Sequence, residues 1–279
     1  MKLFNGKKAA QKILTDLAAR IKKEKLKPVL AVIMVGENEA SKVYLKLKKE
    51  AAKKIGIEVM EYFFSAEAAK ESIIKKIQEL NNDKKISGVI VQLPLPAMFN
   101  ADEIIGVLDL AKDVDGFHKE NRRLLEKGES KLRPVLPLAI LAALQSASKK
   151  DLTGKILALV NSEIFGQTLK LVLEEAGAEM NYLARNTCVI LGAEKELKSA
   201  DVLITVCGCP NMIKGEMIKR NAILIDAGIT RYHDGKVVGD VDQKSVAGKA
   251  AFLTPVPGGL GPLTVALLLR NVYLAARNS

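Results

Sequence analysis

The strongest constraint in this sequence is a succession of short, continuous aliphatic runs set between stretches of helical periodicity. Residues 29–35, 87–91, 156–160, 201–206 and 222–226 are such runs, each the length of a strand. Their interiors are apolar with almost no alternation, so they are expected to be covered on both faces, as parallel strands are. Residues 58–64 and 180–184 read as further strands, and 237–241 as a short one. Between them, Ile13, Leu14, Leu17 and Ile21 recur at helical spacing, as do Ile73, Ile74, Ile77 and Leu80, and later Leu138, Ile140, Leu141 and Leu144. Strand alternating with helix predicts an α/β protein with a parallel, nucleotide-binding type of sheet.

At 279 residues the chain is long enough for two domains, and its lack of tryptophan suits aliphatic α/β packing. No apolar run approaches the ~20 residues of a membrane span. The amino terminus turns polar too early for a secretory signal, so a cytoplasmic protein is expected. Cys188, Cys207 and Cys209 are odd in number and lack a disulfide-framework spacing, so buried or loop thiols are expected. His118 and His233 have no partner at metal-ligand spacing, which argues against a metal. The net charge of +11 comes from lysines such as Lys46 to Lys54 that lie on the polar faces of amphipathic helices. Without aromatic interleaving or a basic tail, it argues for solvation or for guiding a small anionic substrate, not for nucleic acid.

Four stretches carry chemistry. Asn38 or Ser41 can start a helix that Gly56 stops, and on it Tyr44 and Lys48 share one face. An aromatic plane beside an amine can stack a flat ligand and move a proton on it; a solvated lysine beside a half-buried tyrosine is the simpler alternative. Pro94 and Pro96 end the strand 87–91, which puts Gln92 at its carboxyl end, where open α/β sheets bind ligands. Asp113 and Asp115 flank Val114 before Gly116, either as a plain turn or with one carboxylate turned into a cleft. Finally, residues 254–264 concentrate proline and glycine too densely for a strand or helix, and predict an ordered loop before a helix from 265 to 276.

Together these stretches resemble one family, the bifunctional methylenetetrahydrofolate dehydrogenase/cyclohydrolases of the FolD type. The resemblance spans the whole chain and rests on Ser41-Lys42-Val43-Tyr44 with Lys48, on Val91 to Pro96, on Asp113 to Phe117 and on Pro255 to Thr264. It implies an α/β chain of two domains with a cleft between them. Residues 1–120 would form the folate-binding catalytic domain, closed by the C-terminal helix 262–279. Residues 121–261 would form a Rossmann-like NADP-binding domain. Lys48 would be the catalytic residue, helped by Gln92 and Tyr44. Tyr44 would stack on the folate, Asp115 would anchor its pterin ring, and Leu93, Pro257, Gly258, Gly259 and Pro262 would line its site. The implied reactions are oxidation of 5,10-methylenetetrahydrofolate with NADP and hydrolysis of the methenyl product to 10-formyltetrahydrofolate, by a homodimer.

The second half departs from the family pattern. After the strand ending at Val160, the family has Gly-Arg-Ser where this chain has Val160-Asn161-Ser162, and its proline is replaced by Thr168. The glycine would let backbone approach the dinucleotide, and the arginine would meet a phosphate. Val135, Leu136 and Ala139 likewise replace polar and small residues of the family. Asn161, Ser162, Ile164, Arg185, Gly208 and Ile229 occupy the positions that would hold the cofactor. No acidic residue ends the strand 180–184, so Arg185 meets a 2′-phosphate, favouring NADP over NAD, or is a surface cation. An enzyme with both activities is expected; the alternatives are a cyclohydrolase alone, or a non-catalytic folate binder with impaired dinucleotide binding.

Overall fold

The computed structural model describes residues 1–37, 39–147, 154–185, 187–188, 190, 192–232 and 234–278, and for 39–44 the helix but not the side chains. From the amino terminus the chain forms β1 (Lys2–Leu3), α1 (Gly6–Glu24), β2 (Val29–Val35), α2 (Glu39–Ile55), β3 (Glu58–Phe64), α3 (Lys70–Asn82), β4 (Gly88–Val91), α4 (Ala101–Ile105) and α5 (Lys119–Glu126). It continues through α6 (Val135–Ala147), β5 (Ile156–Val160), α7 (Glu163–Glu175), β6 (Met180–Ala184), α8 (Glu194–Ser199) and β7 (Val202–Val206). Then follow β8 (Ile223–Asp226), β9 (Thr230–Arg231), β10 (Val237–Val238), β11 (Phe252–Leu253) and α9 (Leu260–Arg277).

Two compact units result. The first comprises Ala10–Val135 and Val265–Ser279, the second Met1–Ala9 and Leu136–Thr264. The division differs from the sequence expectation at both ends, for local reasons. Residues 133–135 stay with the first unit because Val135 N donates to Asp115 O, and Asn271 Nδ2 on α9 donates to the carbonyls of Val114 and Arg133. The first residues join the second unit because β1 pairs in parallel with β11.

In the first unit, a parallel sheet of order β3-β2-β4 has all of β2 buried at its centre. Ile33, Ile73, Ile77, Val89 and Ile104 form its core; burying each such side chain contributes on the order of 2 kcal/mol. Ser65 does not cap the next helix; it accepts from Ala68 N in a turn, and α3 starts only at Lys70 behind Ala69.

The second unit carries a parallel six-stranded sheet of order β1-β11-β8-β7-β5-β6. The chain runs from β5 outward to β6, then returns to the other side of β5 as β7, so the direction of winding reverses between β5 and β7. Ligands of doubly wound sheets bind at such a reversal, outside the carboxyl ends of the strands. The short strand expected at 237–241 is instead β10, antiparallel to β9 in a separate ribbon. Ser162 Oγ accepts from Phe165 N, so α7 starts at Glu163. The closing helix begins at Leu260 rather than at the expected 265, with Pro262 in its first turn, where a missing N–H costs nothing.

Candidate active site

Lys48 projects from the described part of α2, and its Nζ donates to Gln92 Oε1 at 2.7 Å. Gln92 follows β4, held by its backbone N–H to Ile33 O at 2.8 Å. Its Nε2 donates to Leu93 O at 2.8 Å, and this fixes the amide so that the oxygen faces the amine. The half-buried Lys48 has its pKa lowered by loss of hydration, against which the charge of Asp115 pulls it up. Asp115 is pushed up to about 6 by burial, opposed by the charge of Lys48 and reinforced by Asp113.

The two carboxylates of the 113–116 turn have separate jobs. Asp113, 1% exposed, accepts from the backbone N–H groups of Gly116 and His118 and from Asn121 Nδ2, so it holds the turn. Val89 N donates to Lys112 O and Val89 bridges Asp113, which docks the segment alongside β4. Val114 fills the space over Gly88, where a Cβ would overlap its side chain. That docking brings Asp115 within electrostatic reach of Lys48. His118, which caps α5, and Asn121 were not singled out from sequence, because a turn does not reveal which distant side chains will brace it.

Tyr44 lies outside the described side chains. Leu93, 40% exposed, adjoins Gln92. Pro257, Gly258, Gly259 and Pro262 belong to the second unit. There Gly6 N donates to Gly258 O, Gly259 N donates to Pro255 O, and Gln243 Nε2 donates to Val256 O, so the loop has a fixed path. Gly258 sits at φ +101°, which a side chain rarely tolerates.

Along the carboxyl ends of the six-stranded sheet stand Asn161 and Ser162 after β5, Arg185 after β6, Gly208 after β7 and Ile229 after β8. Ile164 is exposed in the first turn of α7. Arg185 N donates to Val160 O, and Asn161 N to Val206 O. Val160 is fully buried, so its branched side chain lies in the core instead of facing an approaching ligand. Gly208 takes φ +71°, and its carbonyl accepts from Thr230 Oγ1. A cavity of about 490 Å³ is lined by Glu163, Tyr182, Leu183, Ala184, Arg185 and Thr187. The Tyr182 hydroxyl donates to Glu163, and the Tyr182 ring packs where a Cβ on Gly166 would stand.

One sequence expectation fails here. Cys188 and Cys209 form a disulfide, and Cys207 alone is a free thiol. They are 21 residues apart, but the loops after β6 and β7 flank the same strand, β5. Only that topology makes them neighbours.

The model of the tetrahydrofolate dehydrogenase/cyclohydrolase catalytic domain matches residues 4–115, and that of the family's NAD(P)-binding domain matches 134–279. The bifunctional protein FolD 2 of Geobacter sulfurreducens is 39% identical over 99% of this chain and 96% of its own length. The crystal structure of the bifunctional FolD enzyme of Campylobacter jejuni is similar at TM-score 0.90 and 36% identity, covering 100% of this chain and 99% of that one. The Trypanosoma brucei enzyme, crystallised with NADP cofactor and inhibitor, superimposes at TM-score 0.90 with 25% identity, covering 99% of this chain and 97% of that one.

Proposed function

Since the chain belongs to the tetrahydrofolate dehydrogenase/cyclohydrolase family, with both its domains and both its activities, we propose that Lys48, Gln92 and Asp115 form its folate site. The substrates are 5,10-methylenetetrahydrofolate, oxidised with NADP, and the methenyl product, hydrolysed to 10-formyltetrahydrofolate. The observation that carries this reading is the hydrogen bond from Lys48 to Gln92 beside Asp115.

A lysine works as a base only when neutral, and burial already lowers the Lys48 pKa. A cationic methenyl ligand beside it lowers that pKa further. Neutral Lys48 takes a proton from water as the oxygen attacks the methenyl carbon. It returns that proton to the ring nitrogen as the C–N bond breaks, while the new hydroxyl loses its proton to solvent. Gln92 aims the amine without adding a negative charge that would hold the proton on it. Asp115, with a pKa of about 6, is mostly ionised at neutral pH and pairs with an amino-pyrimidine edge through charge-assisted hydrogen bonds. Leu93, next to Gln92, lines the folate site of this unit.

We assign dinucleotide binding to the second unit. The amino end of α7, thirteen residues long and capped by Ser162, is suited to a phosphate. Asn161 and Ile164 flank that end, Arg185 would hold a 2′-phosphate, and Gly208 and Ile229 would hold the nicotinamide side. NADP held there would supply the hydride acceptor for the methylene carbon. The fully buried Val160 supports this assignment, because it leaves the approach to α7 open.

The protein is proposed to act in the cytoplasm as a homodimer. Among the described residues no helix is long and apolar enough to cross a membrane, and cell fractionation tests the location. The edge strand β3 leaves Phe63 61% exposed, which supports pairing with a second copy. The decisive assay supplies methylenetetrahydrofolate with NADP or NAD and follows reduced cofactor and methenyl absorbance together, then methenyl substrate alone. Both signals are expected. Methenyl decay without cofactor reduction would reject the dehydrogenase half, and no decay above the uncatalysed rate would reject the role of Lys48.

A further inference from the structure

The Cys188–Cys209 bridge joins the loop after β6 to the turn after β7, and these two flank β5. It therefore spans the carboxyl end of the strand that leads into α7. Its two sides are held very differently. The Cys207–Pro210 turn is rigid: the buried Asp240 carboxylate accepts from the N–H groups of Cys207 and Cys209, and Gly208 O accepts from Thr230. The described residues of the other side, between Ala184 and Glu194, form neither helix nor strand, and among them Arg185 and Thr187 line the 490 Å³ cavity.

We propose that the Cys188–Cys209 disulfide is a thiol-exchange site that controls the grip on the dinucleotide. Closed, it ties the segment bearing Arg185 and Thr187 to the rigid turn and keeps the cavity preorganised. Opened by a dithiol, it frees that segment and weakens dinucleotide binding. This rests on the reading of the second unit as the NADP-binding one. Cys188 is exposed whereas Cys209 is 5% exposed, so attack falls on the Cys188 sulfur. A reagent thiolate bonds to it and expels the Cys209 thiolate, which takes up a proton. The reagent's second thiol then displaces Cys188, so the protein gains two electrons and two protons while the dithiol becomes a disulfide. Cys207 does not compete: burial and the charge of Asp240 push its thiol up to about 11, leaving it protonated. In a cytoplasmic protein such a bridge meets a reducing pool, where disulfides are mostly transient or redox-sensing.

The test begins with a count of free thiols by alkylation and mass spectrometry, on full-length protein purified in air and again after dithiothreitol. One thiol and then three are expected. NADP is titrated by calorimetry into both forms and into Cys188→Ser, and hydrolysis of the methenyl substrate is measured without NADP in all three. The reduced protein and Cys188→Ser should bind NADP about tenfold more weakly, a loss of the size expected when two side chains must be re-ordered on binding. Methenyl hydrolysis should change by less than about twofold, because Lys48, Gln92 and Asp115 belong to the other compact unit. Three free thiols before reduction, or equal or tighter NADP binding once the bridge is open, would overturn the strap alone. NADP binding in none of the three forms would overturn the dinucleotide reading together with it.

Discussion

The Lys48 amine donates to Gln92 Oε1 at 2.7 Å, joining the helix after β2 to the carboxyl end of β4. A lowered lysine pKa and a neutral acceptor are the combination a proton-transfer lysine needs, and each can be altered separately.

Replacing the amine should remove the chemistry and leave the binding. Lys48→Met is expected to lower methenyl hydrolysis by about a thousandfold, within the range of general acid–base catalysis, with folate affinity nearly unchanged. The decay of methenyl absorbance and a folate titration measure the two. Normal turnover in this variant would rule out Lys48 as the base.

Gln92→Glu keeps the size of the side chain and adds a charge within hydrogen-bond reach of the amine. An opposite charge at that distance stabilises the ammonium, so the rising limb of the pH–rate profile for hydrolysis should move alkaline by about one unit or more. An unmoved profile would show that Gln92 does not govern the protonation of Lys48.

Gly6 stands where an added Cβ would overlap the backbone carbonyl of Gly259. Backbone cannot yield as a flexible side chain does, so Gly6→Ala should destabilise the protein by about 2 kcal/mol. Denaturant midpoints would show it, and a shift below about 0.5 kcal/mol would mean that the 258–259 segment moves freely.

Asp226 sits 1% exposed among the N–H groups of Gly228, Asp240 and Val241, and burial pushes its carboxyl up to about 7 from the usual 3.8. A raised folded pKa means that the native state holds the proton where the unfolded chain has released it. This contribution to stability is fully present below about pH 4 and is lost as pH rises toward about 7. Thermal melts of wild type and Asp226→Asn across that window should differ in slope, with the falling component absent from the variant. Parallel curves would assign the pH dependence to other groups.

Phe63 lies on the free edge of the β3-β2-β4 sheet. Phe63→Lys puts a charge on that edge, and if the proposed dimer forms there it is expected to shift the protein toward monomer in light scattering without lowering its melting temperature. A dimer that survives the change would place the contact elsewhere.

Much of the fold was legible because its central strands are continuous aliphatic runs flanked by helical periodicity, and β2, β3, β5 and β6 have the boundaries that the sequence predicts. The strands missed were β1, β9 and β11, two residues each, which carry no periodicity and form only because a partner strand receives them. The start of α7 at Glu163 rests on Ser162 acting as a cap through a hydrogen bond that spacing alone does not declare.

The candidate site divides in the same way. Helix spacing, strand-ending prolines and an Asp-Val-Asp-Gly turn are properties of neighbouring residues and drew notice to Lys48, Gln92 and the 113–116 turn, but only the family resemblance joined them into one expected site. Which aspartate braces the turn and which faces the lysine was decided by Val89 drawing residues 112–114 alongside β4. The pairing of Cys188 with Cys209 depended likewise on β5 lying between β6 and β7. Sequence determines the elements and the chemical groups they carry, since both arise from nearby residues. Partners far apart in the chain are chosen by sheet order and burial, which exist only once the chain has folded.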